Sequence, residues 1–456
     1  MANVSKTTHI RDFTTGNITK QLVVFSMPLF LSNLLQIVYN MVDMIIVGQA
    51  LGKVGISAVS VGGDVSHFMT FIAMGFANAG QVLIAKYIGA KRQDKLGSFV
   101  GTMTGFLFSC AVVVSVVAII FQDTILSLMN TPAESWQGAW NYSLVCMIGL
   151  VFIYGYNIVS AILRGMGDSK HPFVFISIAA VMNLVLDIVF VIFMDMGAGG
   201  AALATVISQG TSFVLCAVFL VRNKSKFSLD MSLVQFVRWD RTMLSELLKL
   251  GTPMAIKSAS IQVSKLFVNS WINSYGVAVS AFAGIANKIG SVANLVSNAM
   301  NTAGSTMVSQ NIAAGRFDRV KGIMLSIAAI GLSIATVISL AFVAFPQQIF
   351  GIFTTDTAVL EIGAGYLPIA VMLFFGSAMR SIMNALINGS GNYKVNFATA
   401  ILDGIVLRIG LSVLFGLVLS MEHYGFWIGD ALAGFTPFFI GLVFYKTGRW
   451  KKAFKG

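Results

Sequence analysis

Long apolar segments recur along the whole chain, and they constrain the fold more than any other feature of the sequence. Of the 456 residues, 56% are hydrophobic and only 11% are charged. A helix needs about 20 mostly apolar residues to cross the hydrocarbon core of a bilayer. Segments of that length, repeated from end to end, predict an all-α membrane protein with many crossings.

The apolar segments predict twelve transmembrane helices. They cover residues 20–48, 54–86, 96–121, 138–164, 171–194, 199–221, 246–274, 277–312, 320–345, 357–388, 395–419 and 424–446. Lys and Arg gather in the predicted loops on one side, whereas the loops on the other side carry only Lys53. The positive-inside rule therefore places both termini in the cytoplasm. The net charge of +12 thus reports topology, and no nucleic-acid partner is expected.

The two halves of the sequence repeat each other at a nearly constant shift of about half the chain. The run from Ala161 to Lys170 matches the run from Ala385 to Lys394, and Pro28 matches Pro253. An even number of spans in each repeat keeps its orientation, so the repeats are parallel. This predicts two pseudo-symmetric six-helix lobes around a central cavity. The predicted parts are an N-lobe (1–221), a cytoplasmic linker (222–245), a C-lobe (246–446) and a basic cytoplasmic tail (447–456).

Polar side chains lie on one face of the first predicted span. These side chains are Asn33, Gln36, Asn40 and Asp43. They are three or four residues apart, which places them on the same face of a helix. A carboxylate inside a span is costly and usually faces the protein interior, where it marks an ion or substrate path. In the fifth span Asn183 and Asp187 are one turn apart. Counted from the loops, Asp43, Asp187 and Thr205 lie at similar depth, whereas Asn157 lies deeper.

Several motifs resemble those of MATE (multidrug and toxic compound extrusion) transporters, and of their DinF-like branch. They are Phe25-Ser-Met-Pro28, the run from Gln36 to Asp43, the run from Leu163 to Lys170, and the run from Gly200 to Thr205 with Ser208-Gln209. The resemblance covers essentially the whole chain. It implies a secondary exporter of amphiphilic small molecules, driven by inward Na⁺ or H⁺ and needing no cofactor besides that ion.

The resemblance also implies a cation site in the N-lobe. Its members are Asp43, Asn157, Asn183, Asp187 and Thr205. Carboxylate, amide and hydroxyl oxygens suit Na⁺, which Asp43 and Asp187 could bind together. Two carboxylates in a low dielectric can equally share one proton. The coupling ion therefore stays open.

The C-lobe departs from the acidic pattern of other MATE proteins, because its seventh and tenth spans carry bases instead of acids. We predict a substrate cavity from polar residues of both lobes, namely Gln36, Asn40, Lys257, Gln262, Lys265, Asn294, Asn298, Arg380 and Asn384. The bases could attract the anionic part of a substrate, or they could pair with a carboxylate such as Asp403.

Pro28 lies between the cytoplasmic end of the first span and its polar face. Proline removes a helical hydrogen bond and permits a kink. We expect Pro28 to act as a hinge that responds to the charge state of Asp43.

No enzyme motif is found, so the chain is not expected to be an enzyme. We expect a multi-pass protein of the inner (plasma) membrane, without a cleaved leader and active as a monomer. Two alternatives stay open: a flippase of lipid-linked or polysaccharide intermediates, and a carrier of the major-facilitator type.

Overall fold

The computed structural model describes residues 10–229 and 236–452, and all regular structure in these residues is helical. The first half forms α1 (Ile18–Gly89), α2 (Leu96–Ile120), α3 (Gln122–Leu128), α4 (Trp136–Ile148), α5 (Leu150–Gly165), α6 (Lys170–Asp187) and α7 (Gly197–Arg222). The second half forms α8 (Arg241–Asn273), α9 (Val277–Ala313), α10 (Phe317–Ala344), α11 (Pro346–Gly351), α12 (Thr357–Gly389), α13 (Tyr393–Ile401), α14 (Leu407–Val413), α15 (Glu422–Ala433) and α16 (Thr436–Lys446). Wider π-helical turns cover Ile188–Phe193, Leu402–Val406 and Leu414–Val418.

The helices confirm the prediction of an all-α, multi-pass membrane protein. In the described part of the chain, nine helical segments are long and apolar enough to cross a bilayer, or ten if the pair α4 and α5, bent by 49°, is one span. The count of twelve stays a prediction. Helix α1 consists of two helical segments that meet at a break in the backbone at Gly52, where φ is 65°. At about 1.5 Å per residue, each segment is long enough for one crossing. Helix α8, the seventh predicted span, is not among the nine segments.

The described residues fall into two compact units. One lies within Met1–Asp12 and Leu31–Gly251, and the other within Phe13–Phe30 and Thr252–Gly456. The predicted lobes, 1–221 and 246–446, differ from these units because the segment Phe13–Phe30 belongs to the second unit. The lobe bounds themselves stay a prediction.

Apolar packing and hydrogen bonds hold the segment Phe13–Phe30 in the second unit. Phe13 and Phe25 are fully buried in a core that also contains Met307. The backbone N–H of Phe13 donates to Oε1 of Gln310 at 3.0 Å, and Nδ2 of Asn311 donates to the Phe13 carbonyl at 3.1 Å. Loss of the bond to Gln310 would leave the buried Phe13 N–H without an acceptor, whereas the Phe13 carbonyl has a second donor, Nη2 of Arg319 at 3.1 Å.

The structure contains the sequence repeat as two matching close contacts. A Cβ on Gly165 would lie 2.8 Å from the Gln81 carbonyl oxygen and 2.9 Å from Cβ of Ile84. Gly389 is the equivalent of Gly165 in the second repeat. A Cβ on Gly389 would lie 2.6 Å from the Ser305 carbonyl oxygen and 2.8 Å from Cβ of Val308. Those two partners are in turn the repeat equivalents of Gln81 and Ile84, at the same shift along the chain. The repeated glycines therefore let two helices approach closely at equivalent places in each unit.

The turns after these glycines repeat as well. Gly167 and Gly391 both have positive φ, 88° and 69°. Oδ1 of Asp168 then accepts hydrogen bonds from the backbone at the start of α6, and Oδ1 of Asn392 accepts one at the start of α13. Each repeat thus ends one helix with a glycine in the left-handed region and starts the next with a short polar side chain.

Candidate cation site and basic cavity

Asp43 of α1 and Asp187 of α6 meet inside the first unit. Their carboxyl groups lie close enough for a proton on one to form a hydrogen bond to the other. Asp187 is 1% exposed. Both of its carboxylate oxygens, and Oδ1 of Asp43, are buried without a hydrogen-bond donor among the described residues. We call these two residues the acid pair. Its buried oxygens can be satisfied by a proton or by a cation.

Local structure positions each acid. Asp187 is the last residue of α6, and the next turn, Ile188–Phe193, winds as a π-helix. Single π-helical turns inside helices are often found at functional sites. Asp43 precedes Ile46 and Val47, which are buried in a core cluster with Ala201. Packing of small and branched side chains there brings α1 close to its neighbours.

A small cavity of about 10 Å³ lies beside Asn183 and Thr205. That volume is about the smallest that can hold one water molecule. The cavity therefore has room for no more than one water molecule or one small ion. Nδ2 of Asn183 is buried without an acceptor in the described structure. Oγ1 of Thr205 donates to the Ala201 carbonyl at 3.1 Å, which leaves its lone pairs available.

The donor set fits Na⁺ as well as a proton. In residues 10–229 and 236–452 no three His, Cys, Asp or Glu side chains come together to hold a metal ion. Carboxylate, amide and hydroxyl oxygens are hard donors of the kind that such cations prefer. Neither acid is among the described residues that line the cavity beside Asn183 and Thr205, so a shared ion site of these four residues stays a prediction.

Sequence reasoning missed two tyrosines and a glutamine at the acid pair. Tyr39 lies beside both acids and bonds to the Gln209 side chain, and both residues line the small cavity. Tyr142 is buried and also lies beside both acids. Helical spacing carried the signal, because Tyr39 precedes Asp43 by four residues and Gln209 follows Thr205 by four.

Four other residues predicted for the first lobe have local surroundings that the structure describes. Nδ2 of Asn157 donates to the Ile153 carbonyl of its own helix at 2.8 Å. Gln36 is half-buried and Asn40 is exposed. Pro28 lies inside α1, where the helix continues through it. None of these positions tests the predicted roles.

Basic side chains surround a second cavity, of about 60 Å³, in the second unit. Three of its lining residues, Lys265, Asn294 and Arg380, belong to the predicted substrate cavity. Arg408 and Asp430 line it as well. We call this the basic cavity. Gln262 and Asn298 were also predicted for the substrate cavity, but neither lines the basic cavity. Gln262 is half-buried and Asn298 is exposed.

Arg408 forms the central ion pair at this cavity. Its Nη2 donates to Oδ1 of Asp403 at 3.1 Å, and its Nη1 donates to Oδ1 of Asp430. Pairing of a base with Asp403 is therefore confirmed, whereas Asp430 was missed. The two acids come from different helices, and no sequence spacing links Asp430 to Arg408.

Lys257 and Asn384, both predicted, meet in the same unit. Nζ of Lys257 donates to Oδ1 of Asn384 at 2.7 Å. The amide oxygen satisfies one ammonium hydrogen but carries no charge to neutralise it.

Comparisons with known proteins agree with this architecture. The MatE family model matches residues 28–189 and 253–414, which are the two halves of the repeat. The probable multidrug resistance protein YoeA of Bacillus subtilis is 31% identical over 446 residues, covering 96% of this chain and 95% of that protein. The multidrug export protein MepA of Staphylococcus aureus is 23% identical over 412 residues, covering 89% and 90%. The solved outward-facing structure of a multidrug resistance MATE family transporter of the MOP superfamily has a TM-score of 0.89 at 22% identity, covering 99% of this chain and 100% of that one.

These matches exclude the major-facilitator alternative, whereas the DinF-like branch stays a prediction. Both matched stretches begin at the repeated prolines, at residues 28 and 253. Because the family model matches most of the chain and YoeA is similar over nearly its whole length, the chain belongs to the MATE family of membrane transporters and is not an enzyme.

Proposed function

We propose that the chain exports amphiphilic small molecules by antiport with inward Na⁺ or H⁺, coupled at the acid pair. Its relatives YoeA and MepA carry names of multidrug resistance and export, which supports the substrate class. One observation carries the coupling: Asp43 and Asp187 face each other, and three of their four carboxylate oxygens are buried without a donor in the described structure.

The physical argument starts from charge. Two carboxylates at contact distance in a medium of low dielectric repel strongly, so they hold a proton or a cation between them. Loss of that cation restores the repulsion and favours another arrangement of α1 and α6. If a substrate binds only one of these arrangements, ion binding shifts the equilibrium between the arrangements and thereby changes the affinity for the substrate.

The test uses purified protein in liposomes loaded with a fluorescent cationic dye. A Na⁺ gradient and a pH gradient are imposed separately, and the gradient that drives dye transport names the ion. Asp43→Asn and Asp187→Asn should each abolish gradient-driven transport. Asp64→Asn, which removes another acid from α1, serves as the matched control and should retain it. Wild-type transport by both acid-pair variants under both gradients would show that the coupling proposal is wrong.

A flippase of lipid-linked intermediates is the second candidate function, because the basic cavity could hold a pyrophosphate group. Translocation of a fluorescent lipid-linked pyrophosphate in the same liposomes, with no dye transport, would favour it over drug export.

We further propose that the protein works as a monomer in the plasma membrane with both termini in the cytoplasm. The distribution of Lys and Arg along the sequence supports this orientation. Labelling of single cysteines placed in the loop around Lys53 and in the C-terminal tail, from either side of the membrane, would test it.

A further inference from the structure

Positive charge exceeds negative charge around the basic cavity. Lys265 and Arg380 each interact electrostatically with both Asp403 and Asp430, and Lys257 interacts with Asp403. Both carboxylates already bind Arg408. Four cations therefore share two anions. An excess of buried charge in a membrane protein is costly and is usually tied to function.

Two of the four cations have donors to spare at the cavity. In the described part of the chain, Arg380 makes one hydrogen bond, from Nε to the Gly434 carbonyl at 3.2 Å. Lys265 is half-buried, and no hydrogen bond joins its ammonium to a described residue. Both side chains line the cavity. Their unused N–H groups can therefore receive an acceptor from a bound molecule.

The cavity has room for an acidic group. Its volume of about 60 Å³ is several times the 10–15 Å³ that one water molecule needs. Asn294 and Ser377 supply further polar groups, and Trp427 and Tyr366 supply aromatic surface. Such a site offers charge at one end and apolar contact beside it.

We propose that the basic cavity binds the carboxylate of an anionic or zwitterionic amphiphile between Lys265 and Arg380. The planar fork of a guanidinium matches the two oxygens of a carboxylate, and the ammonium adds a second charge-assisted hydrogen bond. Arg408 stays with its two acids and holds the wall in place. The apolar part of the ligand lies against Trp427. This inference deepens the proposed function, on which it rests, by naming a substrate class.

The experiment measures equilibrium binding to the purified full-length protein in nanodiscs, with no ion gradient. The probe is dansylglycine, which carries a carboxylate, and its neutral partner is dansylglycinamide. Energy transfer from tryptophan to the dansyl group reports binding. Wild-type protein should bind the acid at least about 10-fold more tightly than the amide, since hydrogen bonds to charged groups are the strong ones.

Variants then assign the binding to the cavity. Lys265→Gln and Arg380→Gln should each weaken binding of the acid about 10-fold or more and leave binding of the amide unchanged. Lys288→Gln is the matched control, because this exposed base of α9 is not among the cavity's lining residues. Equal affinity for acid and amide in the wild type would overturn the proposal, as would unchanged binding in Lys265→Gln. Lys265 makes no hydrogen bond to a described residue, so this variant tests the site even if Arg380→Gln does not fold.

The same measurements separate this inference from the antiport proposal. Asp64→Asn, which removes an acid outside the acid pair and outside the lining of the basic cavity, should bind dansylglycine as the wild type does. If the protein binds dansylglycine but neither gradient drives transport, the antiport proposal is wrong and the proposed carboxylate site is supported. Gradient-driven transport of a cationic dye without binding of dansylglycine would remove the carboxylate site alone.

Discussion

Replacing Arg408 with Met should destabilise the second unit more than most single substitutions. The guanidinium side chain is 2% exposed and binds Asp403, whose side chain is 0% exposed, at 3.1 Å. It also binds Asp430, whose side chain is 22% exposed. Removing one partner of a buried ion pair costs about 3–5 kcal/mol, because the remaining charge is left without compensation. Here Asp403 loses its hydrogen-bond donor, while Lys257 and Arg380 still interact with it electrostatically, so we expect a cost near the lower end of this range.

A second variant separates the loss of charge balance from the loss of packing. Removing all three charges, with Arg408→Met, Asp403→Asn and Asp430→Asn, should recover only part of the stability. It removes the carboxylates that lost their hydrogen-bond donor, but it also takes both anions away from Lys257, Lys265 and Arg380. The assay is unfolding in mixed micelles of increasing SDS content, followed by tryptophan fluorescence. A single variant within about 1 kcal/mol of the wild type, the value of a surface pair, would refute the reasoning. A triple variant no more stable than the single one would refute it too.

Three further predictions follow from contacts described above. Gly389→Ala should cost about 1–3 kcal/mol of unfolding free energy through overpacking, whereas Gly284→Ala, with open space around its Cβ position, should be tolerated in the same unfolding assay. Asn384→Leu should cost about 1–3 kcal/mol by leaving the Lys257 ammonium without its acceptor, and Lys257→Met in the same background should recover part of that loss. Pro28→Ala should leave the amount of protein in the membrane unchanged and lower the liposome transport rate, and a wild-type rate would argue against a hinge.

Sequence reasoning reached the class of fold and part of the candidate site. Apolar length predicted an all-α protein with many crossings, and the repeat of the two halves reappears as equivalent contacts at Gly165 and Gly389. Helical spacing and family resemblance selected Asp43 and Asp187, which meet in the structure. These successes rest on local properties, since hydropathy and helical periodicity are carried by each segment alone.

The sequence by itself determined that this chain crosses the membrane many times, that it is built from two related halves, and which rare acids and bases lie inside the crossings. Only the tertiary structure decided which of those charges meet. It placed Asp430 on Arg408, left Lys265 and Arg380 facing a cavity, and packed Phe13–Phe30 into the second unit. The physical reason is that a helix face follows from residues a few positions apart, whereas the partner of that face depends on how distant helices pack.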